Sequence, residues 1–319
     1  MNNSKIISIM LLRAIAALSV CIVHIQMICN LHINSLIDYL TNLGQQGVVI
    51  FFVISGFILP YSLYQKNYVL KDFFSFLLRR SIRIDPPYWC IIALSFVLGA
   101  VPVSLLNLNS ALLHFFYLVP FVKGANWFLG IFWTLSIEFQ FYLLLGIFFP
   151  FLMRIKANLS ILILIGLSIT CILSRLYYHG VIIEQMPDFV IGFIAFMAYV
   201  KKISLTKGLL ILFAFSAYLM IFVSIKTGAI PLLTALFILL YKSQKEIQPL
   251  YFLGKISYSL YLIHYPLTLF LVGKFSLYTT NKYVLFFGCI LLSILGAYIF
   301  YLLVERYALK LSKVIRLSR

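Results

Sequence analysis

The sequence predicts an all-α integral membrane protein, a polytopic bundle of about ten transmembrane helices with both termini in the cytoplasm. Hydrophobic residues make up 63% of the 319 residues and charged residues only 10%, which is too little polar surface for a soluble domain of this size. The apolar residues form long continuous runs, whereas the strands of a membrane β-barrel alternate in polarity. The cations lie mostly in every second connection between these runs.

Ten apolar runs of roughly the length of a membrane span follow one another along the chain. They cover residues 6–29, 45–64, 86–104, 127–152, 159–178, 183–200, 208–225, 229–241, 250–273 and 283–305. Each is predicted to be a helix, because a helix satisfies its own backbone groups in lipid. The topology is left open at 105–122 and 226–241, either of which could be re-entrant or lie along the membrane interface.

The lysines and arginines predict the orientation of the bundle. With the N-terminus inside, all of the 25 basic residues fall in cytoplasmic segments or the adjoining helix ends except Lys123, Arg175, Lys226, Lys274 and Lys282. An even number of spans then places both termini in the cytoplasm. The net charge of +17 does not indicate nucleic-acid binding, because the cations lie between hydrophobic segments. The five cysteines have no metal-like spacing, so no metal is expected.

Charged or titratable residues inside predicted spans are costly and mark candidate sites. Arg13 and His24, in the first run, are eleven residues apart, which is about 16 Å of helical rise and about three turns plus 20°. They therefore share one face, where the guanidinium could hold an anion and the imidazole could transfer a proton. The alternative is that Arg13 snorkels to lipid headgroups and His24 hydrogen-bonds a neighbouring helix.

Three further polar positions stand in predicted spans. Glu138 requires either a proton or a cationic partner, for which His24 or an arginine is the candidate, and a structural interhelix bond is the alternative. His264 lies two residues before Pro266, which frees a backbone carbonyl, so a purely structural donor explains it. Glu305 and Arg306 close the last run and are expected to form an interfacial ion pair.

A basic and aromatic segment, residues 71–89, precedes the third run. It contains Arg79, Arg80 and Arg83, and its prolines are expected to open the next span. Such a segment lies naturally at the cytoplasmic interface. Clustered arginines there could bind phosphates bidentately, and the alternative is ordinary anchoring beside anionic lipid.

Together these segments resemble the acyltransferase-3 family of membrane acyltransferases. In chain order the matching motifs are RAIAALSVCIVH at 13–24, GVVIFFVISGF at 47–57, R-x-x-R at 80–83 with Pro86 and Tyr88 after it, 133–142, F-x-x-G at 189–192, 256–266 and 304–306. The resemblance covers almost the whole chain. It implies a single acyltransferase-3-like transmembrane domain over 1–319, in the stand-alone form without a fused hydrolase-like domain.

The resemblance implies a membrane-bound O-acyltransferase of the bacterial cytoplasmic (inner) membrane. Such an enzyme moves an acyl group, most often acetyl, from cytoplasmic acyl-CoA to a hydroxyl of a surface or lipid-linked saccharide such as O-antigen, capsule or exopolysaccharide. Acyl-CoA, the glycan acceptor and membrane lipid are the implied partners, with no nucleic acid. A transporter or flippase for a lipid-linked saccharide is the alternative from another class, and a membrane scaffold is a third.

The same resemblance assigns roles to individual residues. His24 is implied to be the general base on the acceptor hydroxyl, or a transient acyl carrier. Arg13 is implied to orient the donor, and Glu138 to support the site. The donor itself, acetyl-CoA or another acyl-CoA, is implied to bind at the basic segment; the residues expected there are Arg79, Arg80, Arg83 and Tyr88.

Overall fold

Fourteen α-helices, joined by short 3-10 turns and one π-helical turn, form the part of the chain that the structure describes, residues 3–174 and 179–315 of a computed structural model. No strand occurs in those two ranges. The helices are α1 Asn3–Ile28, α2 Ser35–Asn42, α3 Gly47–Gln65, α4 Phe73–Val97, α5 Leu108–Phe115, α6 Trp133–Arg154, α7 Ala157–Ser174, α8 Met186–Tyr199, α9 Leu205–Phe222, α10 Ile225–Leu240, α11 Gln248–Lys255, α12 Ser257–Phe275, α13 Lys282–Phe300 and α14 Arg306–Val314.

The all-α membrane bundle predicted from the sequence is confirmed. Within the described ranges, seven helical segments are long and apolar enough to cross a membrane, and the pair α11 and α12 makes an eighth if it is one span. The charged helix α4 and the 16-residue helix α10 fall outside that set. The count of ten spans and the cytoplasmic location of the termini therefore stay predictions. Arg175, Arg316 and Arg319 of the charge pattern lie outside the described residues.

Three of the predicted runs differ from the helices that form. The helix α4 begins at Phe73 and continues through Pro86 and Pro87, so the prediction that these prolines open a new span is wrong. Contacts with neighbouring helices allow prolines inside a membrane helix, and α4 has such a contact here, since the Tyr258 hydroxyl of α12 donates to the Ile84 carbonyl at 2.9 Å. The three arginines thus lie on one helix that runs on into the bundle.

The run at 250–273 is not one straight helix, because α11 and α12 meet at a bend of 72°. Gly254 sits just before the bend, where its backbone approaches the Met10 carbonyl so closely that a Cβ would overlap it. The last run, predicted to end at 305, continues through a π-helical turn at Tyr301–Glu305 into α14. The open region 105–122 contains α5, whose eight residues rise about 12 Å and cannot span a bilayer.

Two ends of the bundle can be named by contacts of α1. At the Lys5 end, the Lys5 ammonium donates to the carbonyls of Leu239 at 2.7 Å and Tyr241 at 3.0 Å, where α10 ends. At the Lys282 end, the Lys282 ammonium donates to the Asn30 carbonyl at 2.7 Å, where α1 has just ended and α13 begins. The helices α1 and α12 therefore run in the same direction, from the Lys5 end towards the Lys282 end.

The centre of the bundle is formed by α1, α3, α8 and α12, while α7, α9 and α13 lie at its periphery. Within the candidate spans, 72% of the Ile182–Tyr199 window is buried against 17% of the Ala157–Ser174 window. The outer helices expose large apolar side chains such as Leu162 and Leu291. Such a surface is suited to lipid, since water would not solvate it.

The tightest crossing in this centre joins α3 to α8 through two glycines. A Cβ on Gly192 would overlap the Val53 carbonyl oxygen and lie 2.8 Å from the Gly56 carbonyl carbon, and a Cβ on Gly56 would overlap the Phe189 carbonyl oxygen. Small residues let membrane helices approach this closely. Because α3 also lines the cavity described below, the crossing fixes one wall of the site.

Replacing Gly192 with Ala is therefore expected to destabilise the fold by about 1–3 kcal/mol, the usual range for overpacking a tight interior. The measurement is the thermal unfolding transition of the purified protein in detergent. Gly166→Ala is the matched control, because nothing lies within 4 Å of a Cβ at that helical glycine. Equal transition temperatures for the two variants would contradict the close crossing.

Candidate functional site

A polar cavity lies between α1, α3, α4, α6 and α12. Including its open mouth, it holds about 830 Å³ that protein atoms do not fill. Apolar side chains of α3 form much of its wall. Its polar lining comes from all five helices: Arg13, Ser55, Arg80, Arg83, Thr134, Glu138, Tyr142, Tyr258 and Tyr261.

Helical spacing explains why these side chains face the same space. Thr134, Glu138 and Tyr142 follow one another at intervals of four on α6, and Arg80 and Arg83 are three apart on α4. Residues three or four apart lie on the same face of a helix. The helices α4 and α6 therefore each present one polar stripe to the cavity inside an otherwise apolar bundle.

Arg13 reaches the cavity from the Lys5 half of α1. Its Nε donates to the Ser257 hydroxyl at 2.9 Å and lies 3.3 Å from the Gly254 carbonyl oxygen. Both acceptors belong to the bend between α11 and α12, so this bend orients the guanidinium. No hydrogen bond engages the terminal amino groups of Arg13 within the described ranges, and these groups remain able to donate to a ligand.

Arg80 and Arg83 enter the cavity from α4. The Arg80 guanidinium lies over the rings of Phe76 and Tyr142, 5.8 and 5.7 Å from their centroids, which stabilises a cation away from bulk water. Among residues 3–174 and 179–315, neither arginine forms a hydrogen bond or a salt bridge. Two bidentate donor groups thus face the same open space.

The mouth of this basic region carries further positive charge. Lys66 follows the last residue of α3, and burial lowers the pKa of its ammonium, which the positive charges of Arg79 and Arg80 lower further. Arg79 itself interacts electrostatically with Arg83 but does not line the cavity. The potential of the region therefore favours an anion.

Glu138 is the one carboxylate in the cavity lining. It accepts hydrogen bonds from the Tyr142 hydroxyl at 2.5 Å and from the Ser55 hydroxyl at 3.4 Å. Arg13 and Arg80 interact with it electrostatically, although no described cation lies within 4.0 Å of it. The partner expected from the sequence, His24 or an arginine, is thus replaced by hydroxyl donors, with the arginines acting at longer range.

Glu305 is a second, more deeply buried carboxylate beside Arg13. It is 2% exposed and accepts from the Ser259 hydroxyl at 2.5 Å and the Ser259 amide at 3.2 Å. Its negative charge acts on Arg13 and Arg83. The expected interfacial ion pair with Arg306 is wrong, because Arg306 is exposed and no salt bridge joins the two. The π-helical turn carries Glu305 inward and leaves Arg306 outside.

His24 lies on the same side of α1 as Arg13, as the spacing predicts, since both contact α12. It does not line the cavity. Its Nδ1 is 2.9 Å from Nε2 of His264, and the two rings meet edge to edge with their centroids 5.2 Å apart and 9° between their planes. Tyr261, which does line the cavity, contacts the His264 ring at 5.9 Å between centroids. The histidine pair therefore lies one side chain beyond the Lys282 end of the cavity.

Tyr88 takes a different position from the other predicted residues. Its ring is fully buried, stacked on Tyr117 at 5.3 Å and edge-on to Phe132 at 5.0 Å, and it does not line the cavity. Of the predicted site residues, the structure brings Arg13, Arg80, Arg83 and Glu138 together. His24 stands next to that group, and Arg79 and Tyr88 lie outside it.

Several site residues were not identified from the sequence. His264 was interpreted as a structural donor, and it does lie 2.9 Å from the Leu260 carbonyl through Nδ1, but its other nitrogen meets His24. Tyr261, whose hydroxyl donates to the Ile131 carbonyl at 3.0 Å, was not singled out. The interval of three between Tyr258, Tyr261 and His264 is the signal that one face of α12 is polar.

The helix bundle and this cavity define a polytopic membrane protein with an internal site suited to an anionic ligand. A family model described as an acyltransferase domain, that of the acyltransferase-3 family, matches residues 6–302. The chain belongs to that family and is a membrane acyltransferase. Comparison with curated proteins and with solved structures gave no match. Within the described ranges, no group of three or more His, Cys, Asp or Glu side chains could hold a metal ion.

The charge of the cavity can be tested without reference to the reaction. In the Ser55→Cys variant the new thiol faces the three arginines. The ratio of its reaction rate with an anionic methanethiosulfonate to that with a cationic one should therefore be higher than the same ratio for a free thiol in water. Labelling followed by mass spectrometry measures the ratio, and the unmodified chain with its five cysteines supplies the background.

Adding Arg80→Ala and Arg83→Ala to Ser55→Cys should remove the preference for the anionic reagent. Failure to label Cys at position 55 above background would show that the cavity is closed to water. A preference for the cationic reagent would contradict its positive potential.

Proposed function

We propose that the chain is an O-acyltransferase of the bacterial cytoplasmic membrane. It moves an acyl group, acetyl in the first instance, from cytoplasmic acyl-CoA to a hydroxyl of a surface or lipid-linked saccharide such as O-antigen, capsule or exopolysaccharide. Family membership supports acyl transfer, and the single domain 1–319 carries it out. Family membership also favours an enzyme over the alternatives, a transporter or a membrane scaffold.

The observation that carries this proposal is a set of three guanidinium groups that face one cavity and form no salt bridge with any residue that the structure describes. Positive charge buried in a membrane protein is costly unless it has a partner or a function. Among the described residues, Glu138 is the one carboxylate that lines the cavity beside these three cations. The imbalance suits a donor whose phosphates carry several negative charges, as those of coenzyme A do.

The positions of the arginines suggest how the donor lies. Arg80 and Arg83 bind its phosphates, with Arg79 adding positive charge nearby. Arg13, whose Nε is already held by Ser257, uses its free terminal amino groups to orient the donor further in. Tyr88 makes no contact with the donor in this arrangement and instead packs α4 against the core.

The acyl end of the donor is directed towards the Lys282 end of the cavity. Tyr261 and Thr134 stand there, their hydroxyl oxygens 2.7 Å apart, and His264 and His24 follow. The rise of α1 from Arg13 to His24, about 16 Å, separates the anion-binding part of the site from the proton-transfer part. A long, narrow donor entering from the Lys5 end suits that separation.

His24 acts as the general base. It removes the proton from the acceptor hydroxyl as the oxygen attacks the thioester carbonyl carbon. The carbon–sulfur bond then breaks, the acyl group stays on the oxygen, and the proton on His24 returns to the leaving thiolate. The direct route is preferred to an acyl-histidine, since a hydroxyl needs only a positioned base to attack a thioester. Glu138 offsets part of the positive charge and keeps the arginines oriented.

Replacing His24 with Ala is expected to lower transfer from acetyl-CoA to an O-linked site of the host glycan by about 10²–10⁴-fold, the usual contribution of a general base. The assay follows labelled acetyl groups in membranes of matched protein content. His32→Ala is the control, because that histidine is exposed and paired with Asp38 at 3.5 Å, away from the cavity. Wild-type transfer by His24→Ala would remove this residue from the mechanism.

The acceptor class is tested by comparing the molecular mass of the surface glycan of a deletion strain with that of its parent. We expect the deletion strain to lose one acetyl mass per modified repeat and to regain it on complementation. An unchanged glycan mass would contradict a surface saccharide as the acceptor.

Replacing both Arg80 and Arg83 with Ala should raise the KM for acetyl-CoA by about 10- to 100-fold, since a hydrogen bond to a charged group contributes about 1.5–3 kcal/mol. The matched control is Arg154→Ala with Lys156→Ala, which removes two exposed positive charges, one on the last residue of α6 and one two residues after it. An unchanged KM for acetyl-CoA in the Arg80→Ala, Arg83→Ala variant would contradict phosphate binding and favour membrane anchoring as the role of the two arginines.

A further inference from the structure

The contact between His24 and His264 constrains where protons can lie. His264 is fully buried, its Nδ1 is 2.9 Å from the Leu260 carbonyl oxygen, and its Nε2 is 2.9 Å from Nδ1 of His24. A carbonyl oxygen only accepts, so Nδ1 of His264 carries a proton. A neutral imidazole has one protonated nitrogen, which leaves Nε2 of His264 as an acceptor.

The tautomer of His24 follows from that of His264. Because Nε2 of His264 accepts, Nδ1 of His24 must donate, and a neutral His24 then has its lone pair on Nε2. If Nδ1 of His24 accepted instead, Nε2 of His264 would have to donate. His264 would then carry protons on both ring nitrogens and be positively charged. A fully buried cation is costly without an anionic partner, and no salt bridge to His264 occurs within residues 3–174 and 179–315.

The two rings are also held in place from other sides. Tyr265 meets the His24 ring edge-on, with the centroids 5.3 Å apart and the planes at 87°. The Thr268 hydroxyl donates to the backbone carbonyl of His264 at 2.6 Å. Pro266 lies between these two residues on α12. His24 is partly exposed whereas His264 is not, so the free nitrogen of the pair belongs to the more accessible of the two rings.

We propose that His264 is a positioning residue for the acyl transfer. It holds His24 in the tautomer whose Nε2 is the free base, and it accepts from Nδ1 while His24 carries the proton taken from the acceptor hydroxyl. No proton passes to His264 itself, which stays neutral with its own Nδ1–H on the Leu260 carbonyl. This inference rests on the proposed function, in which His24 is the base.

Two substitutions of similar size separate this role from a structural one. In His264→Gln the amide oxygen can take the place of Nε2 and accept from His24. In His264→Asn the shorter side chain places its amide near the former Nδ1, so it can keep the bond to Leu260 but cannot reach His24. A purely structural role would be preserved at least as well by Asn, whereas tautomer control requires Gln.

The experiment measures the maximal rate and the KM for acetyl-CoA in membranes of the glycan-producing host, with thermal unfolding as the check on folding. We expect His264→Asn to lower the maximal rate by at least about tenfold, part of the contribution of a general base, with KM unchanged. His264→Gln should recover most of that loss. In a His24→Ala background, His264→Asn should cause no further loss, because it acts through His24.

The outcomes separate this inference from the function on which it rests. If His24→Ala keeps the wild-type rate, the base assignment fails and the role of His264 fails with it. If His24→Ala is inactive while His264→Asn and His264→Gln are equally active or equally impaired, only the role of His264 is overturned. An effect on KM alone would also overturn it.

A second measurement does not depend on activity or on a variant of His264. Nitrogen-15 spectra of the histidine-labelled chain in bilayers, with His24→Gln used to assign the signals, report which ring nitrogen of His24 carries the proton. We expect a protonated Nδ1 and an unprotonated Nε2 in the neutral ring. The opposite tautomer would overturn the proposal even if both His264 variants failed to fold.

Discussion

The cost of placing positive charge inside a lipid-embedded bundle governs the arrangement of this protein. Arg13, Arg80 and Arg83 stand among apolar helices, and no carboxylate in the described ranges pairs with them within 4.0 Å. They are tolerated because a cavity keeps them in contact with polar surroundings, while Glu138 and Glu305 act on them from a distance. The aromatic rings beneath Arg80 and the bend that holds Arg13 also stabilise these two guanidinium groups.

That constraint also explains the division of the site into two parts. The arginines lie in the Lys5 half, where the mouth carries further basic residues, and the histidine pair lies beyond the other end of the cavity. An imidazole close to three guanidinium groups would be a poor base, since each positive charge opposes its protonation. In the proposed function, separation along α1 keeps anion binding and proton transfer from interfering with each other.

The sequence was sufficient for the fold class, the family and the charged residues of the cavity lining, because these depend on local features. Long apolar runs identify helices whatever their neighbours are, and the spacing of Arg13 and His24 identifies a shared face. The sequence was insufficient where the local structure depends on contacts with another helix. The passage of α4 through Pro86 depends on its neighbours in the bundle, and the bend before Ser257 depends on the backbone of α1. The π-helical turn that buries Glu305 has no signal in a hydrophobic pattern.

His264 illustrates the same limit within the site. One of its nitrogens makes a bond within α12, which the sequence explains, and the other meets a residue 240 positions away, which it does not. Tyr88 is the converse case: its place in a family motif suggested donor contact, yet its side chain packs in the core. A motif records that a residue is required, but only packing tells whether it faces the ligand or supports a residue that does.

The contacts of the first helix also have a consequence for the order in which the chain is made. Arg13 obtains its hydrogen bonds from Gly254 and Ser257, 241 and 244 positions later, and His24 obtains its partner 240 positions later. Translation runs from the N-terminus, so α1 is made well before α11 and α12 and can form these hydrogen bonds only after those helices have been made. The proposed site is therefore completed only when α12 arrives, and a nascent chain that stops before Ser257 lacks both His264 and a hydrogen-bond acceptor of Arg13.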